Sequence, residues 1–247
     1  MSSDSEPDHT LESEEEQVAR LLDEVAANPT AEEVWEELID CLCHQGDLYP
    51  ESLPSLPRLA SFATSWPLSQ CLDPLFLASM IVASANDSDE KEDMHRQYAS
   101  DFASLISRVH ECLSTPSVFE KDNAFIHLLS ALLAFEGESP WDRKIERLTD
   151  GEYNLECPSC EAYLYIELDD SGGFVTSEDP IAATDAPRAA LLPATPPDLN
   201  VMAHRLYTIA TEQKQEGIAT RLLHLFGSAT CPECEDVFRT EEPLLID

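Results

Sequence analysis

Two cysteine pairs with the same local spacing constrain this chain more than any other feature. Cys157-Pro158-Ser159-Cys160 and Cys231-Pro232-Glu233-Cys234 each place two residues between their cysteines, and about 70 residues separate the pairs. Zn²⁺ in structural sites prefers a closed tetrahedron of thiolates, and a turn with this gap brings both of its sulfurs to one ion. The sequence therefore predicts a structural zinc site with the ligands Cys157, Cys160, Cys231 and Cys234.

A single Cys-Pro-x-Cys motif is also typical of thioredoxin-like dithiol oxidoreductases, in which the first thiol lies at the N-terminus of an amphipathic helix. Residues 161–168, after the first pair, are rich in aromatic and branched side chains and favour a strand. Residues 235–239, after the second pair, also lack a helical apolar stripe. The flanking sequences favour zinc. A redox dithiol and unmetallated cysteines remain alternatives, and iron in place of zinc stays open because both metals accept four thiolates.

The overall composition predicts a folded chain in the cytoplasm. The sequence has 247 residues, 43% of them hydrophobic, which is enough for one large or two modest domains. No apolar run approaches the roughly 18 residues of a membrane span. The first six residues include two acids and no base, where a secretory signal would be basic and then apolar. We therefore expect a cytoplasmic protein that makes no membrane contact.

The other cysteines and the histidines that we considered as ligands are better explained by packing and helix capping than by metal binding or catalysis. The other cysteines, which lie within helical apolar patterns typical of reduced core thiols, are Cys41, Cys43, Cys71 and Cys112. His44 shares a helix face with Cys41, but Cys43 points elsewhere and no fourth ligand is near in sequence. The helix dipole favours a histidine in the last turn of a helix, which gives His44 a structural explanation. His204 and His224 precede the second cysteine pair, yet four thiolates leave no open position for a catalytic water. The sequence also lacks a phosphate-binding loop, a nucleophile elbow and a His-Glu-x-x-His motif, so we predict no catalytic residues.

The charge of the chain restricts its partners. Its 49 acidic residues outnumber 14 basic ones, and the formal net charge is −35. Binding to nucleic acid relies on lysine and arginine that replace counterions. The one local basic group, Arg143, Lys144 and Arg147, has acids on either side. We expect no direct nucleic-acid contact. A field of this sign favours fast, salt-sensitive encounter with a basic protein, although it also serves solubility.

The order of patterns along the chain predicts three regions. Residues 1–11 are acidic, with hardly an apolar side chain, and we expect them to be disordered. Residues 12–150 carry apolar stripes at helical spacing, and Thr30 with Glu33 predicts a capping box at the start of the second helix. The predicted helical stripes fall at 12–28, 30–46, near 56–62, and at 75–83, 98–112 and 125–135.

From residue 151 the pattern changes to strands. We expect a strand through Leu168, a hairpin turn at 169–173 and a return strand at 174–175. A proline-rich surface tract and a helix with apolar residues between Leu199 and Phe226 then lead to the second cysteine pair. Residues 151–247 therefore resemble a split zinc ribbon, in which an insertion interrupts the β element and the metal closes a long loop.

Within the helical region, similar helices recur after about 43 and then about 48 residues, which is near the period of HEAT repeats. The segments Trp35-Glu36-Glu37-Leu38, Cys43-His44-Gln45-Gly46, Tyr49-Pro50 with Ser52, and Leu56-Pro57-Arg58-Leu59 resemble the first repeat of a group of bacterial HEAT-like proteins without an assigned activity. The resemblance covers about 30 residues and implies a repeat fold and a binding surface, with no catalytic residues. An ordinary helical bundle would give a similar spacing.

These patterns together predict a mostly α protein, with a HEAT-like helical repeat or a helical bundle followed by a small zinc-ribbon β element. The first functional hypothesis is a non-catalytic module that binds a basic protein, as an immunity protein or antitoxin binds a toxin. The second is a zinc-dependent regulatory adaptor in a larger complex. The third is a dithiol oxidoreductase, which needs an exposed cysteine of low pKa. The oligomeric state stays open.

Overall fold

The structure is a computed structural model that describes residues 12–244, with the exception of residues 45, 90, 120–122 and 184–185. The predicted disordered segment, residues 1–11, lies outside the described residues. The chain divides into two compact units, the first ending at Leu105 and the second beginning at Ile106. Among the described residues, no helix has both the length and the apolar character that a membrane span requires.

The first unit is mainly helical, and its helices pack in consecutive pairs, α1 against α2 and α3 against α4. Its elements are α1 (Glu14–Ala27), α2 (Glu32–Leu42), β1 (Cys43–His44), β2 (Asp47–Leu48), α3 (Ser52–Ser65), α4 (Leu72–Ala85), α5 (Lys91–Gln97) and the beginning of α6 (Ala99–Leu113). The core consists of the apolar faces of these helices. Its fully buried side chains include Leu21, Leu38, Leu56, Leu59, Leu75 and Ile81.

The starts of the first two helices differ from the sequence prediction. Ser13 caps α1, because its hydroxyl accepts a hydrogen bond from the Glu16 N–H at 3.2 Å while the Glu16 carboxylate accepts one from the Ser13 N–H at 3.0 Å. The capping box predicted at Thr30 is wrong. Helix α2 begins one residue later than predicted, with Ala31 as its N-cap, and the Thr30 hydroxyl donates to the side chain of Asn28 at 3.1 Å.

The second unit combines helices with strands. Its elements are the remainder of α6, α7 (Ala124–Glu136), α8 (Trp141–Glu146), β3 (Glu152–Glu156), β4 (Tyr163–Asp169), β5 (Gly172–Thr176), β6 (Ala189–Ala190), α9 (Val201–Glu212), α10 (Glu216–Leu225), β7 (Ser228–Thr230), β8 (Val237–Arg239) and α11 (Glu241–Leu244). Almost every residue of α7 is buried, as expected of a helix that is apolar on all sides.

The strands form an antiparallel sheet in the order β3-β4-β5-β6 and a separate hairpin, β7-β8. The predicted turn joins β4 to β5, with Asp169 opposite Gly172. Helix α10 packs on β4 and β5. Leu192 and Ser228 exchange backbone hydrogen bonds of 2.9 and 2.8 Å, so the segment after β6 connects the sheet to the β7-β8 hairpin.

Two details of this unit differ from the sequence prediction. The single helix expected before the second cysteine pair is two helices, α9 and α10, and Lys214 in the turn between them has a left-handed φ of 59°. The proline-rich tract is largely irregular, but it contributes β6 at the edge of the sheet, the place where a proline-rich segment is tolerated.

The structure confirms the mostly helical fold and the strands from residue 151 onward. The limits 12–150 and 151–247 as domains stay a prediction, and so does the arrangement of the helices as HEAT-like repeats. Of the cysteines outside the two pairs, Cys43, Cys71 and Cys112 are buried as core thiols, and Cys41 is half-buried.

Candidate metal centre

Each cysteine pair forms the loop at the end of a β-hairpin. The first, Cys157–Cys160, connects β3 to β4, and the second, Cys231–Cys234, connects β7 to β8. In the first loop the Cys157 N–H donates to the Ala162 carbonyl at 2.9 Å, and the Glu161 N–H donates to the Cys157 carbonyl at 2.9 Å. The second loop has the same two bonds, at 2.9 and 3.0 Å, from Cys231 to Asp236 and from Glu235 to Cys231. The two loops are therefore copies of one local structure.

The residue that follows each pair has a left-handed backbone. Glu161 has φ 60° and Glu235 has φ 62°, a conformation that costs a residue with a Cβ atom about 1 kcal/mol or more. Glycine would adopt it without that cost. The left-handed residue turns the chain back into the second strand of each hairpin, and the hydrogen bonds of the loop hold it there.

The four sulfurs lie together. All four Sγ atoms are within 4.8 Å of one another, with 3.7 Å between Cys157 and Cys234 and 3.8 Å between Cys160 and Cys231. A tetrahedron with metal–sulfur bonds of about 2.3 Å has edges of about 3.8 Å. A disulfide bond would need about 2.05 Å. The spacing of the sulfurs fits a single metal ion at their centre, and none of the four cysteines is paired in a disulfide.

The two cysteines of each loop differ in exposure. The first cysteine, Cys157 or Cys231, is buried, and the second, Cys160 or Cys234, is exposed. Burial raises the pKa of the Cys157 thiol, but the backbone N–H groups of Ser159 and Cys160 and the neighbouring sulfurs lower it by more, so the net shift is downward. The Asp236 N–H lowers the pKa of Cys234, whereas desolvation and the three other sulfurs raise it, to about 12 overall.

The backbone and the neighbouring sulfurs act in opposite directions on the Cys234 thiol. The backbone N–H groups aimed at the sulfurs favour thiolates, and the crowding of the sulfurs opposes them. A divalent cation at the centre removes the repulsion, because a coordinating thiol is deprotonated by the charge of the metal. The donor set of four soft sulfur atoms in a tetrahedral arrangement suits Zn²⁺ or iron.

Hydrogen bonds outside the sulfur cluster join the first loop, and the end of β5, to the second loop. The Ser159 hydroxyl of the first loop donates to the Asp236 carboxylate beside the second. The Ser177 hydroxyl, just after β5, donates to the Glu233 carboxylate inside the second loop at 2.6 Å. Sequence reasoning did not identify these residues, since serine and acidic residues are frequent in this chain and their partners are distant in sequence.

The histidines considered as additional ligands have other roles. His224 Nδ1 lies 2.9 Å from the carbonyl of Thr220 on α10, and His204 lies 3.5 Å from the Thr208 hydroxyl on α9. His44 lies 3.1 Å from the carboxylate of Asp40. Within the described part of the chain, the group of metal-ligating side chains around the cysteines contains no histidine.

Comparisons of the chain with protein-family models, with curated proteins and with solved structures find no match.

Proposed function

We propose that this chain is a non-catalytic protein-binding module in which Cys157, Cys160, Cys231 and Cys234 hold one structural Zn²⁺ ion. The observation that carries the proposal is the fit of the sulfur–sulfur distances, 3.7 and 3.8 Å between the loops, to a tetrahedral thiolate site. Four protein ligands fill such a site and leave no position for a substrate or an activated water, so the metal has a structural role.

The metal acts as a clasp within the second unit. It joins the β3-β4 hairpin to the β7-β8 hairpin, whose cysteines are 71 to 77 positions apart. Everything between the hairpins, including β5, β6, α9 and α10, lies inside the loop that the clasp closes. A ligand set this distant in sequence forms only in the folded chain, so metal binding contributes directly to the folding of this unit.

The net charge supports a basic protein as the partner. At −35, the field of the chain raises the rate of encounter with a cationic protein and lowers the affinity for nucleic acid. Paired helices in a HEAT-like arrangement would supply a binding surface without an active site. An immunity protein or antitoxin that masks a cationic toxin has these requirements, because it needs tight, salt-sensitive binding and no chemistry.

The test is the isolation of a stoichiometric partner. The tagged chain is purified from its source cells at low ionic strength with chemical crosslinking, and the bound proteins are identified by mass spectrometry. We expect one partner with a calculated isoelectric point above about 9, recovered at a fixed ratio and released by about 0.5 M salt. If the partner is toxic when expressed alone, co-expression of this chain should restore growth. An acidic partner, or none at a fixed ratio, would contradict the proposal.

The same experiment separates the second hypothesis, a regulatory adaptor, because an adaptor is recovered with several proteins of one stable complex. The dithiol oxidoreductase is disfavoured by two observations. Both cysteine pairs face one another, and each forms a hairpin loop followed by a strand in place of a helix. Reduction of insulin disulfides that persists after metal removal would restore the redox hypothesis.

A further inference from the structure

The outer face of the β3-β4-β5 sheet combines aromatic rings with carboxylates. The inner face, with Tyr153, Leu164, Ile166 and Val175, is buried. The alternate residues point the other way. The outward residues of the three strands include Glu152, Asn154 and Glu156 on β3, Tyr163, Tyr165 and Glu167 on β4, and Phe174 on β5.

A groove crosses this outer face. Its floor is Asn154 and Tyr165, which are directly opposite each other in the register of β3 and β4. Residues 179–181 form one wall, and Ile181 at its rim is 83% exposed. The cavity measures about 150 Å³, which is about five times the volume of one water in the liquid. It has room for the planar head of one arginine side chain.

Two like charges oppose each other in this groove. Glu152 on β3 and Glu167 on β4 are direct cross-strand partners, an arrangement that destabilises an antiparallel pair. Within the described part of the chain, neither carboxylate has a lysine or arginine within the 4.0 Å of an ion pair. The Asp179 carboxylate adds a third negative charge, although it also accepts a hydrogen bond from the Ile181 N–H at 2.9 Å. A cation in the groove would relieve this repulsion.

The same face already holds one guanidinium group. Arg188 lies over the ring of Phe174, with 4.2 Å between its guanidinium carbon and the ring centroid. Phe174 is the β5 partner of Glu167, so this stacked pair borders the groove. Tyr165 offers a second ring, which packs in a T-shaped arrangement with the Tyr163 ring at a centroid distance of 5.1 Å and an interplanar angle of 78°. An aromatic face fixed in this way is suited to a cation.

We propose that the groove lined by Glu152, Asn154, Tyr165, Glu167 and Asp179 receives an arginine side chain of the partner. The inference rests on the proposed function, in which the partner is a basic protein, and assigns the place where that partner is recognised. The guanidinium plane stacks on Tyr165, and its N–H groups donate to Glu152 and Glu167. Arginine fits better than lysine because a flat, delocalised cation can stack on a ring and bond two carboxylates together.

The metal clasp bears on the shape of this groove. Ser177, two residues before the wall that begins at Asp179, donates a hydrogen bond of 2.6 Å to Glu233 in the second cysteine loop. The position of the wall therefore depends in part on the hydrogen bond between Ser177 and the second cysteine loop. Loss of the metal should weaken binding at the groove without any change in the groove residues themselves.

The test is a titration of the full metal-bound chain with the peptide acetyl-Gly-Arg-Gly-Arg-Gly-amide. Nuclear magnetic resonance monitors the signals of the protein at each step of the titration. Two matched peptides carry lysine or citrulline at both arginine positions; citrulline keeps the shape of arginine and lacks its charge. We expect the arginine peptide to shift the signals of Asn154 and Tyr165, the lysine peptide to bind more weakly, and the citrulline peptide to leave these signals unchanged.

Two variants locate the site. Tyr165→Leu removes the ring and should weaken the arginine peptide about two- to fivefold, the value of one exposed cation–π contact. The double variant Glu152→Gln and Glu167→Gln removes both carboxylates and should weaken it about tenfold. The control with an equal change of charge is Glu212→Gln with Glu216→Gln, two exposed glutamates near the turn between α9 and α10, and it should bind as the unaltered chain does.

The inference would be overturned if the citrulline peptide bound equally well, if the groove variants bound the arginine peptide with unaltered affinity, or if its signals shifted only outside the groove. Those results would leave the proposed function intact, because the basic partner could still bind elsewhere on the acidic surface. Failure to recover a basic partner, together with no binding of the arginine peptide, would contradict both proposals.

Discussion

Removal of one ligand from each cysteine loop should destabilise the second unit by about 4 kcal/mol. The double variant Cys160→Ser with Cys234→Ser changes the two exposed cysteines, so that little packing is lost apart from the metal. The shortest loop that the proposed clasp would close runs from Cys160 to Cys231, 71 positions apart. The loop-closure entropy of a crosslink over that length is about 4 kcal/mol at 25 °C. For a unit of this size, such a loss lowers the midpoint of thermal unfolding by about 10 to 15 °C.

The assay is differential scanning calorimetry of the unaltered chain, the double variant and a control, with metal content measured on each sample. The control, Cys41→Ser, changes a half-buried cysteine outside the metal centre and should keep both the metal and the unfolding temperature. Removal of the metal from the unaltered chain with a chelator should reproduce the temperature of the double variant. The reasoning fails if the double variant unfolds at the temperature of the unaltered chain, or if the chelator removes the metal without effect.

Three further predictions concern the rest of the structure. The Tyr153 hydroxyl is buried and donates to the Lys144 carbonyl at 2.9 Å, and burial raises the pKa of this hydroxyl. As the pH rises, the hydroxyl therefore loses its proton in the unfolded chain before it does in the folded chain. The free energy of unfolding should fall above about pH 10 for this reason. Tyr153→Phe should lower the free energy of unfolding by about 1 kcal/mol at neutral pH and make its decrease between pH 7 and pH 11 smaller, as measured by denaturant unfolding at both pH values. A decrease as large as that of the unaltered chain would contradict this. Gly227→Ala would place a Cβ atom 2.1 Å from the Leu192 carbonyl oxygen, so it should lower the free energy of unfolding by more than about 2 kcal/mol in denaturant unfolding. An unaltered denaturation midpoint would contradict this and would mean that the backbone at the Leu192–Ser228 bridge moves to make room at no cost. An increase in salt from about 0.05 to 0.5 M should raise the unfolding temperature, because it screens the repulsion of a chain with net charge −35; a decrease would mean that attractive ion pairs outweigh that repulsion.

The cysteine cluster could be predicted from the sequence because the spacing within each pair is a local signal. A two-residue gap between cysteines occurs twice, with strand-forming residues after the first pair and no helical apolar stripe after the second. This pattern indicates four candidate ligands without knowledge of the fold. The left-handed backbone of Glu161 and Glu235 was not predictable, since that conformation is usual for glycine and unfavourable for glutamate. It follows from the hydrogen bonds that close each loop, which are visible only in the structure.

The long helices were predictable for a similar reason, because α4 and α7 are apolar over several turns. The short helices α5 and α8 have too few residues to show a period. The prediction of a capping box at Thr30 was wrong because the Thr30 hydroxyl donates to the side chain of Asn28. Thr30 and Glu33 match the capping-box motif, but the helix begins after Ala31. A side chain that can cap a helix can also form a hydrogen bond within a local turn, and the sequence motif does not distinguish the two.

The groove on the outer sheet face shows where sequence reasoning ends. The alternation of Tyr163, Tyr165 and Glu167 predicts that they share one face of a strand. Nothing in the sequence places Glu152 opposite Glu167, since that pairing depends on the register of β3 against β4. The lining of the groove comes from two strands, so its composition depends on their register.

The measurement to make first is native mass spectrometry of the chain purified without a metal-affinity tag, combined with a count of reactive thiols before and after chelation. The proposed clasp predicts one Zn²⁺ ion per chain, and it predicts that chelation makes four additional thiols reactive, those of Cys157, Cys160, Cys231 and Cys234. A chain that carries no metal, with one of the two cysteine pairs oxidised to a disulfide, would contradict the clasp.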